Sequence, residues 1–397
     1  MIQIAILGFG TVGSGVAQVL KANAEAIAHR VYAPVEVKYI MDLRDFSSSP
    51  LADRFVQDFS VIERDPEVSI VVETIGGMGA ALEYTRRALE AGKSVVTSNK
   101  ELVAEHGREL LELAKERGVC YLFEASVGGG IPIIHPLYQC LGANQITAVS
   151  GILNGTTNYI LTRMIRAGLS FDDALKEAQE LGYAERDPSA DVEGRDACRK
   201  ICILADIAFG HQISPAQVST AGITGVSLED VACAAAVGCK IKLLGRALRR
   251  EDGKVCAYVE PHFVPESNPL SGVEDVFNAI AVTGNAVGET MFYGRGAGKL
   301  PTASAVVADV MDLARGVQVP RPLAWQAGGD DVTAPVEELR SDWCARLAGP
   351  VPEGWQAVSW ADAPEGQSAL LLADMTRGEM EEALAEASVL SAYRMLS

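Results

Sequence analysis

Basic residues are scarce in this chain: 34 Lys and Arg stand against 52 Asp and Glu, a net charge of −18 over 397 residues. A chain this acidic lacks the Lys and Arg stripes that a phosphate backbone requires, so nucleic acid is excluded as a partner, and an anionic membrane surface with it. Apolar runs of about 18 uncharged residues are absent, so no segment is expected to span a bilayer. An apolar run, Met1–Leu7, opens the chain in place of a secretory leader, and no signal peptide is expected. The eight cysteines form no CxxC pair and no zinc-ligand cluster. Cys198 and Cys202 fall on one helix turn without a His or Cys partner nearby, so they read as buried thiols in a reducing cytoplasm. None of the five histidines stands beside a Ser or Cys in a triad-like arrangement.

What is present suits a soluble globular protein: 48% hydrophobic and 22% charged residues, in a chain long enough for two or three domains. Ile2–Leu7 leads directly into Gly8-Phe9-Gly10-Thr11-Val12-Gly13, and Thr11–Ala28 has helical apolar spacing at Val12, Val16, Val19, Leu20 and Ile27. A second strand, Val35–Met41, ends at Asp42. Strand, glycine turn, helix, and strand ending in an acid make a dinucleotide fingerprint, which the glycines alone would not. Gly8 permits the tight turn, Gly10 lets backbone approach a pyrophosphate, and Gly13 lets the helix pack on the strand; the helix N-terminus supplies the anion site. Asp42 suits a ribose diol and hence NAD, whereas Arg44 suits a 2′-phosphate and hence NADP, so the choice stays open.

Strands at Val68–Glu73, Ser94–Thr97 and Val119–Phe123 alternate with helices at Ala80–Ala91 and Glu101–Arg117. Such alternation predicts a parallel sheet with ligands beyond its carboxyl ends, where Thr74 and Ser98-Asn99-Lys100 fall. Lys100, at a helix start where a bare cation sits poorly, is placed to meet cofactor or substrate. Glu124 to Ile131 then puts one carboxylate beside three consecutive glycines, a pattern that suits a hard cation held by carbonyls, a hinge, or both.

Residues 182–200 concentrate Glu185, Asp187, Asp191, Glu193, Asp196 and Lys200. Asp196 and Lys200 are four apart at the start of the apolar run Ala197–Phe209, so a helix there puts them on one face and within reach of each other. A solvated acid–lysine pair is the bland alternative. Further on, a helix is expected over Leu228–Leu243, with strands at Gly245–Arg249, Val255–Val264, Asn278–Ala281 and Glu289–Tyr293. Gly294 to Gly298 opens a helix, Thr302–Arg315, that returns to the first domain. From Ala334 the composition shifts, and short strands and one helix predict a small α+β unit.

Taken together, Gly8-Phe-Gly-Thr-Val-Gly13, Ser98-Asn-Lys100, Glu124-Ala-Ser-Val-Gly-Gly-Gly130, Leu153-Asn-Gly-Thr-Thr-Asn158, Leu181 to Pro188, Ala190 to Lys200 and Gly296-Ala-Gly298 resemble homoserine dehydrogenase over roughly residues 1–320. The resemblance implies an α/β chain. A Rossmann-type parallel-sheet NAD(P)-binding domain would span 1–135 plus 296–320, and an α+β substrate and dimerisation domain 136–295. A small, truncated ACT-like α+β unit would span 334–397. It implies reversible NAD(P)H-dependent reduction of aspartate 4-semialdehyde to homoserine by a cytoplasmic homodimer or homotetramer in threonine, methionine and isoleucine biosynthesis.

Carried over by motif, Lys200 passes a proton to the aldehyde oxygen, Lys100 lies near the reacting carbon, and Glu185, Asp191 and Asp196 serve the substrate's amino and hydroxyl groups. Phe9, Gly10, Thr11, Val12, Gly13, Thr74, Ser98, Lys100, Gly182 and Gly298 touch the cofactor, NADP or NAD. Glu124 with the carbonyls of Val127, Gly129 and Ile131 forms a sodium site. Two other readings are a nucleotide-binding sensor without catalysis and an oxidoreductase for a different amino acid aldehyde or imine. The tail shows only part of an ACT unit, which leaves feedback control through it in doubt and a dimerising or structural role open.

Overall fold

Parallel strands buried on both faces read as nearly continuous apolar runs, and the first such run, β1 (Ile2–Leu7), is buried from Ile4 to Leu7. A computed structural model describes residues 1–316 and 325–396. It divides into two units, residues 1–143, 206–214 and 294–327, and residues 144–205, 215–293 and 328–397.

In the first unit β1 is joined by β2 (Val35–Met41), β3 (Phe55–Val56), β4 (Val68–Glu73), β5 (Ser94–Thr97) and β6 (Tyr121–Leu122). They pair in parallel in the order β3-β2-β1-β4-β5-β6. The chain winds outward from β1 in both directions, which makes the carboxyl end between β1 and β4 the switch point where ligands bind in such sheets. The helical spacing read over Thr11–Ala28 is realised as two helices, Thr11–Ala22 and Ala24–Val31, broken at Asn23 (φ −113°, ψ 19°). Asn hydrogen-bonds locally and favours such breaks. The helix Lys299–Ala314 lies against Thr11–Ala22 so closely that a Cβ on Gly15 would stand 2.8 Å from the Lys299 carbonyl oxygen. Val306 and Val310 share one core with Ile4, Val16 and Val72. Of the expected return segment 296–320, residues 317–320 lie outside the described residues.

The second unit is built on a nine-stranded mixed sheet. Its strands are β7 (Ile146–Ile152), β8 (Ser219–Thr220), β9 (Cys239–Arg249), β10 (Val255–Pro265), β11 (Phe277–Gly284), β12 (Gly288–Arg295), β13 (Ser341–Ala348), β14 (Gln367–Met375) and β15 (Ser388–Met395). The order is β12-β11-β7-β9-β10-β15-β13-β14, with β8 on β10. The expected helix Leu228–Leu243 is a misreading: it stops at Ala236, Gly238 turns left-handed at φ +68°, and Cys239–Leu243 pair with Pro261–Pro265 as the start of β9. A left-handed glycine is a common helix stop, and the apolar run beyond it is strand.

The segment 334–397, expected as a unit of its own, continues this same sheet over its described residues, 334–396, because β15 pairs with β10 through His262–Arg394 and Phe263–Met395. Trp343, Leu347, Leu370, Leu372, Met380 and Leu384 give the segment its own apolar cluster. No helix among the described residues is long and apolar enough to cross a membrane.

Candidate active site

In the first unit the glycine turn caps the carboxyl end of β1. Gly8 adopts φ +85°, and a Cβ there would stand 2.8 Å from the Thr74 carbonyl oxygen. A Cβ on Gly13 would lie 2.0 Å from the Gly8 carbonyl oxygen, so only glycine lets the helix start this close to the turn. At Gly10 a Cβ would meet nothing within 4 Å, which leaves bare backbone at the mouth of the crevice. Thr11 and Val12 open the helix Thr11–Ala22, whose unpaired N–H groups form a site for an anion. Thr74 Oγ1 ties the end of β4 to the turn, donating to the Leu7 and Gly8 carbonyls at 3.0 and 2.8 Å.

At the end of β2, Asp42 Oδ2 accepts from Phe9 N at 2.7 Å, and Arg44 grips both carboxylate oxygens at 2.9 and 2.7 Å. The Arg44 guanidinium is the main cause that holds the Asp42 carboxyl well below the usual carboxylate range. Gly8, Gly10, Asp42, Arg44, Thr74 and Tyr84 line a cleft of about 400 Å³. Ser98 and Lys100, both half-buried, follow β5. Asn99 between them caps the helix Lys100–Arg117 by accepting from Leu102 N at 3.1 Å, and its amide donates to the Gly77 carbonyl at 2.6 Å. Gly298, at φ +124°, heads the helix Lys299–Ala314.

Sequence reasoning passed over Glu73 and Thr97, which close this end of the sheet. The Glu73 carboxylate accepts from Ile75 N at 2.7 Å and from the Thr97 hydroxyl at 2.5 Å, and burial pushes its pKa up. A glutamate ending an apolar strand was the available signal.

The loop after β6 arranges Glu124 differently from the reading that offered its carboxylate to a cation. That carboxylate is buried and accepts from the N–H groups of Ile133, Ile134 and His135 at 2.6, 3.0 and 2.6 Å. These are first-turn donors with no helical partner, so the side chain acts as a cap. Gly128 and Gly129 are left-handed. Among the described residues, no backbone hydrogen bond ends on the carbonyls of Val127, Gly129 or Ile131. The Glu124 side chain thus supports the loop, and these three carbonyls are left without a backbone donor.

In the second unit the acidic stretch folds into a short turn of helix, Ser189–Val192, and then the helix Arg195–Phe209. Gly194 sets the angle between them at φ +83°. The helix lies on the sheet where β9 carries Gly245, whose Cβ would stand 2.8 Å from the Leu153 side chain and 3.2 Å from that of Ile201. Asp196 and Lys200 are therefore buried, at 3% and 8% exposure, instead of solvated.

Lys200 Nζ donates to Asp196 Oδ2 and to the Leu153 carbonyl, each at 2.7 Å. Asn154, the N-cap of the helix Gly155–Ala167, accepts from Thr157 N at 2.9 Å. Its amide donates to Asp191 Oδ1 at 2.7 Å and to Asp196 Oδ2 at 2.8 Å. One asparagine thus gathers two carboxylates beside one buried ammonium. Glu185 and Gly182 are exposed; the Glu185 carboxylate takes no part in this cluster, and its carbonyl accepts from Gln179 Nε2 at 3.1 Å.

Family models describe these residues. Residues 8–124 match the model for "Homoserine dehydrogenase, NAD binding domain", and residues 132–311 match "Homoserine dehydrogenase". The chain is 43% identical over 358 residues to a homoserine dehydrogenase of Neisseria gonorrhoeae, covering 87% of this chain and 81% of the relative. The crystal structure of a homoserine dehydrogenase from Thiobacillus denitrificans superposes with a TM-score of 0.91 at 38% identity, covering 100% of this chain and 98% of the other. A hyperthermophilic archaeal homoserine dehydrogenase in complex with NADPH superposes with a TM-score of 0.67 at 30% identity, covering 81% of this chain and 99% of the other.

Proposed function

Since the chain belongs to the homoserine dehydrogenase family, NAD(P)-dependent oxidoreductases that interconvert homoserine and aspartate 4-semialdehyde, we propose that Lys200 exchanges the proton on the reacting oxygen. The observation that carries this role is a buried ammonium held between the Leu153 carbonyl and the Asp196 carboxylate. Carbonyl reduction builds negative charge on oxygen, and an ammonium in a site of low dielectric both stabilises that charge and neutralises it by proton transfer. Bound nicotinamide supplies or takes the hydride. Asp196 keeps Lys200 oriented and meets the substrate hydroxyl. Asp191 and, from its exposed position, Glu185 receive the substrate's α-ammonium, and Lys100 adds positive charge near the reacting carbon.

Bare backbone at Gly10 and the cleft beside Asp42 fit a dinucleotide. Phe9, Gly10, Thr11, Val12, Gly13, Thr74, Ser98, Lys100, Gly182 and Gly298 are its contacts. Asp42, ionised and anchored by Phe9 N, suits the ribose diol of NAD. Arg44 lies on Asp42 with its side chain 61% exposed and suits the 2′-phosphate of NADP. Both cofactors serve, and the archaeal relative's complex with NADPH supports the second. A sodium ion fits the carbonyls of Val127, Gly129 and Ile131, in the loop that the Glu124 carboxylate holds. The domain roles follow: cofactor binding by residues 1–135 with 296–320, substrate binding and dimerisation by 136–295, and an ACT-like extension in 334–397. The working protein is a cytoplasmic homodimer or homotetramer of threonine, methionine and isoleucine biosynthesis.

The test is homoserine oxidation followed at the nicotinamide band with NAD and NADP side by side, in sodium and sodium-free buffer. Both cofactors turn over, and Arg44→Ala lowers kcat/KM for NADP at least about tenfold, a difference of about 1.4 kcal/mol, while NAD changes little. Absence of turnover with either cofactor would overturn the assignment. Equal effects of Arg44→Ala on both would remove Arg44 as the phosphate contact.

A further inference from the structure

The second unit holds another concentration of buried charge, on strands that no step of the proposed reaction uses. Glu260 of β10 is 7% exposed and Arg394 of β15 is 1% exposed. Arg394 Nε stands 2.7 Å from Glu260 Oε1, and Arg377 Nη2 donates to Glu260 Oε2 at 3.0 Å. The Arg394 and Arg377 guanidiniums lie over the Trp343 ring, 4.3 and 5.1 Å from its centroid.

These four side chains line a cavity of about 200 Å³ together with Val226 and Pro261. Two guanidiniums face one carboxylate, so the wall carries one positive charge in excess. Arg394 is held in place by its Nη1 and Nη2 groups, which donate to Leu339 O, Ser341 Oγ and Val336 O at 3.0, 2.7 and 2.9 Å, while its Nε meets Glu260 as an ion pair and not as a hydrogen bond. Arg377 makes one hydrogen bond among the described residues, to Glu260, and its side chain is 38% exposed at the rim. The buried pair of Glu260 and Arg394 is neutral, so the excess charge sits on the Arg377 guanidinium at the mouth, where it can meet an anion entering from solvent.

We infer that this cavity is a binding site for a small aliphatic monocarboxylate, gripped by Arg377 over Trp343. The planar fork of an arginine matches a carboxylate in shape and can bind it through two parallel hydrogen bonds. One unit of excess charge matches a monoanion, and Glu260 in the same wall repels a dianion. Val226, Pro261 and Ala392 offer apolar contact to a short carbon chain.

The experiment is saturation-transfer NMR on the full-length protein with isobutyrate as probe, isobutyramide as its neutral isostere and inorganic phosphate as competitor. Isobutyrate binds saturably and isobutyramide does not. The Kd rises at least fivefold in Arg377→Gln, recovers in part in Arg377→Lys, and is unchanged in Lys200→Ala, which separates this site from the catalytic cluster. Homoserine oxidation in Arg377→Gln stays within twofold of the parent, which verifies that the variant is folded. An unsaturable signal, the same Kd in Arg377→Gln, loss of binding in Lys200→Ala, or displacement by phosphate at equal concentration would each overturn the site.

Discussion

A single oxygen, Oδ2 of Asp196, accepts from Lys200 Nζ at 2.7 Å and from Asn154 Nδ2 at 2.8 Å. The lysine is four residues ahead on the same helix, whereas the asparagine comes from the turn that follows β7, 42 residues earlier in the chain. Charge from one element and a dipole from another thus converge on one carboxylate.

Replacing Lys200 with alanine removes the proposed proton donor and leaves Asp196 without its ion-pair partner. Turnover of homoserine falls by roughly 10²–10⁴, the range for a positioned acid or base. The dissociation constant for NADPH, read by fluorescence titration, changes little, because the cradle at Gly8–Gly13 is built without Lys200. Near-normal turnover in this variant would take Lys200 out of the reaction.

Asn154 does two separable jobs, and two substitutions distinguish them. Asn154→Ala loses both the cap on the helix Gly155–Ala167 and the amide that holds Asp191 and Asp196. Asn154→Ser keeps a capping oxygen but loses the amide. Melting curves place the serine variant about 1 kcal/mol above the alanine variant, the usual worth of a cap. Both variants lose kcat/KM for homoserine to a similar degree, about tenfold or more, a loss of about 1.4 kcal/mol. Parent-like kcat/KM in Asn154→Ser would show that the amide has no part in placing the carboxylates.

His262 makes the fold sensitive to acid. It is fully buried, and desolvation, with Arg246 adding to it, lowers its pKa to about 3. In the unfolded chain it titrates near its ordinary value, about 6.5. Between those two values the unfolded state binds the extra proton, so this group's contribution to stability is intact above about pH 6.5 and declines as the pH falls toward 3. Denaturant midpoints measured at pH 7 and pH 5 fall more steeply for the parent protein than for His262→Gln, whose side chain has no proton to gain. Parallel slopes would show that His262 does not set the acid limit.

Much was legible from local spacing. The glycine turn, the acid ending β2 and the alternation of strand and helix are short-range patterns, each the direct consequence of backbone freedom or of a periodicity. The pairing of Asp196 with Lys200 is local too, since residues four apart on a helix face the same way. Where patterns ran together, the reading slipped: an apolar stretch beyond Gly238 continued a helix on paper and starts a strand in space.

Other features were decided by tertiary structure alone. Burial of the Asp196–Lys200 pair depends on Gly245 admitting the helix onto the sheet. Delivery of the Asn154 amide to both aspartates depends on β7 ending beside that helix. The Glu124 carboxylate turns to the N–H groups of Ile133, Ile134 and His135 because the loop folds back over them, and β15 joins the sheet through two residue pairs with β10. Spacing along a chain sets which side chains share a face. Distance between faces is set by packing, and hydrogen bonds over tens of residues are known only once that packing is known.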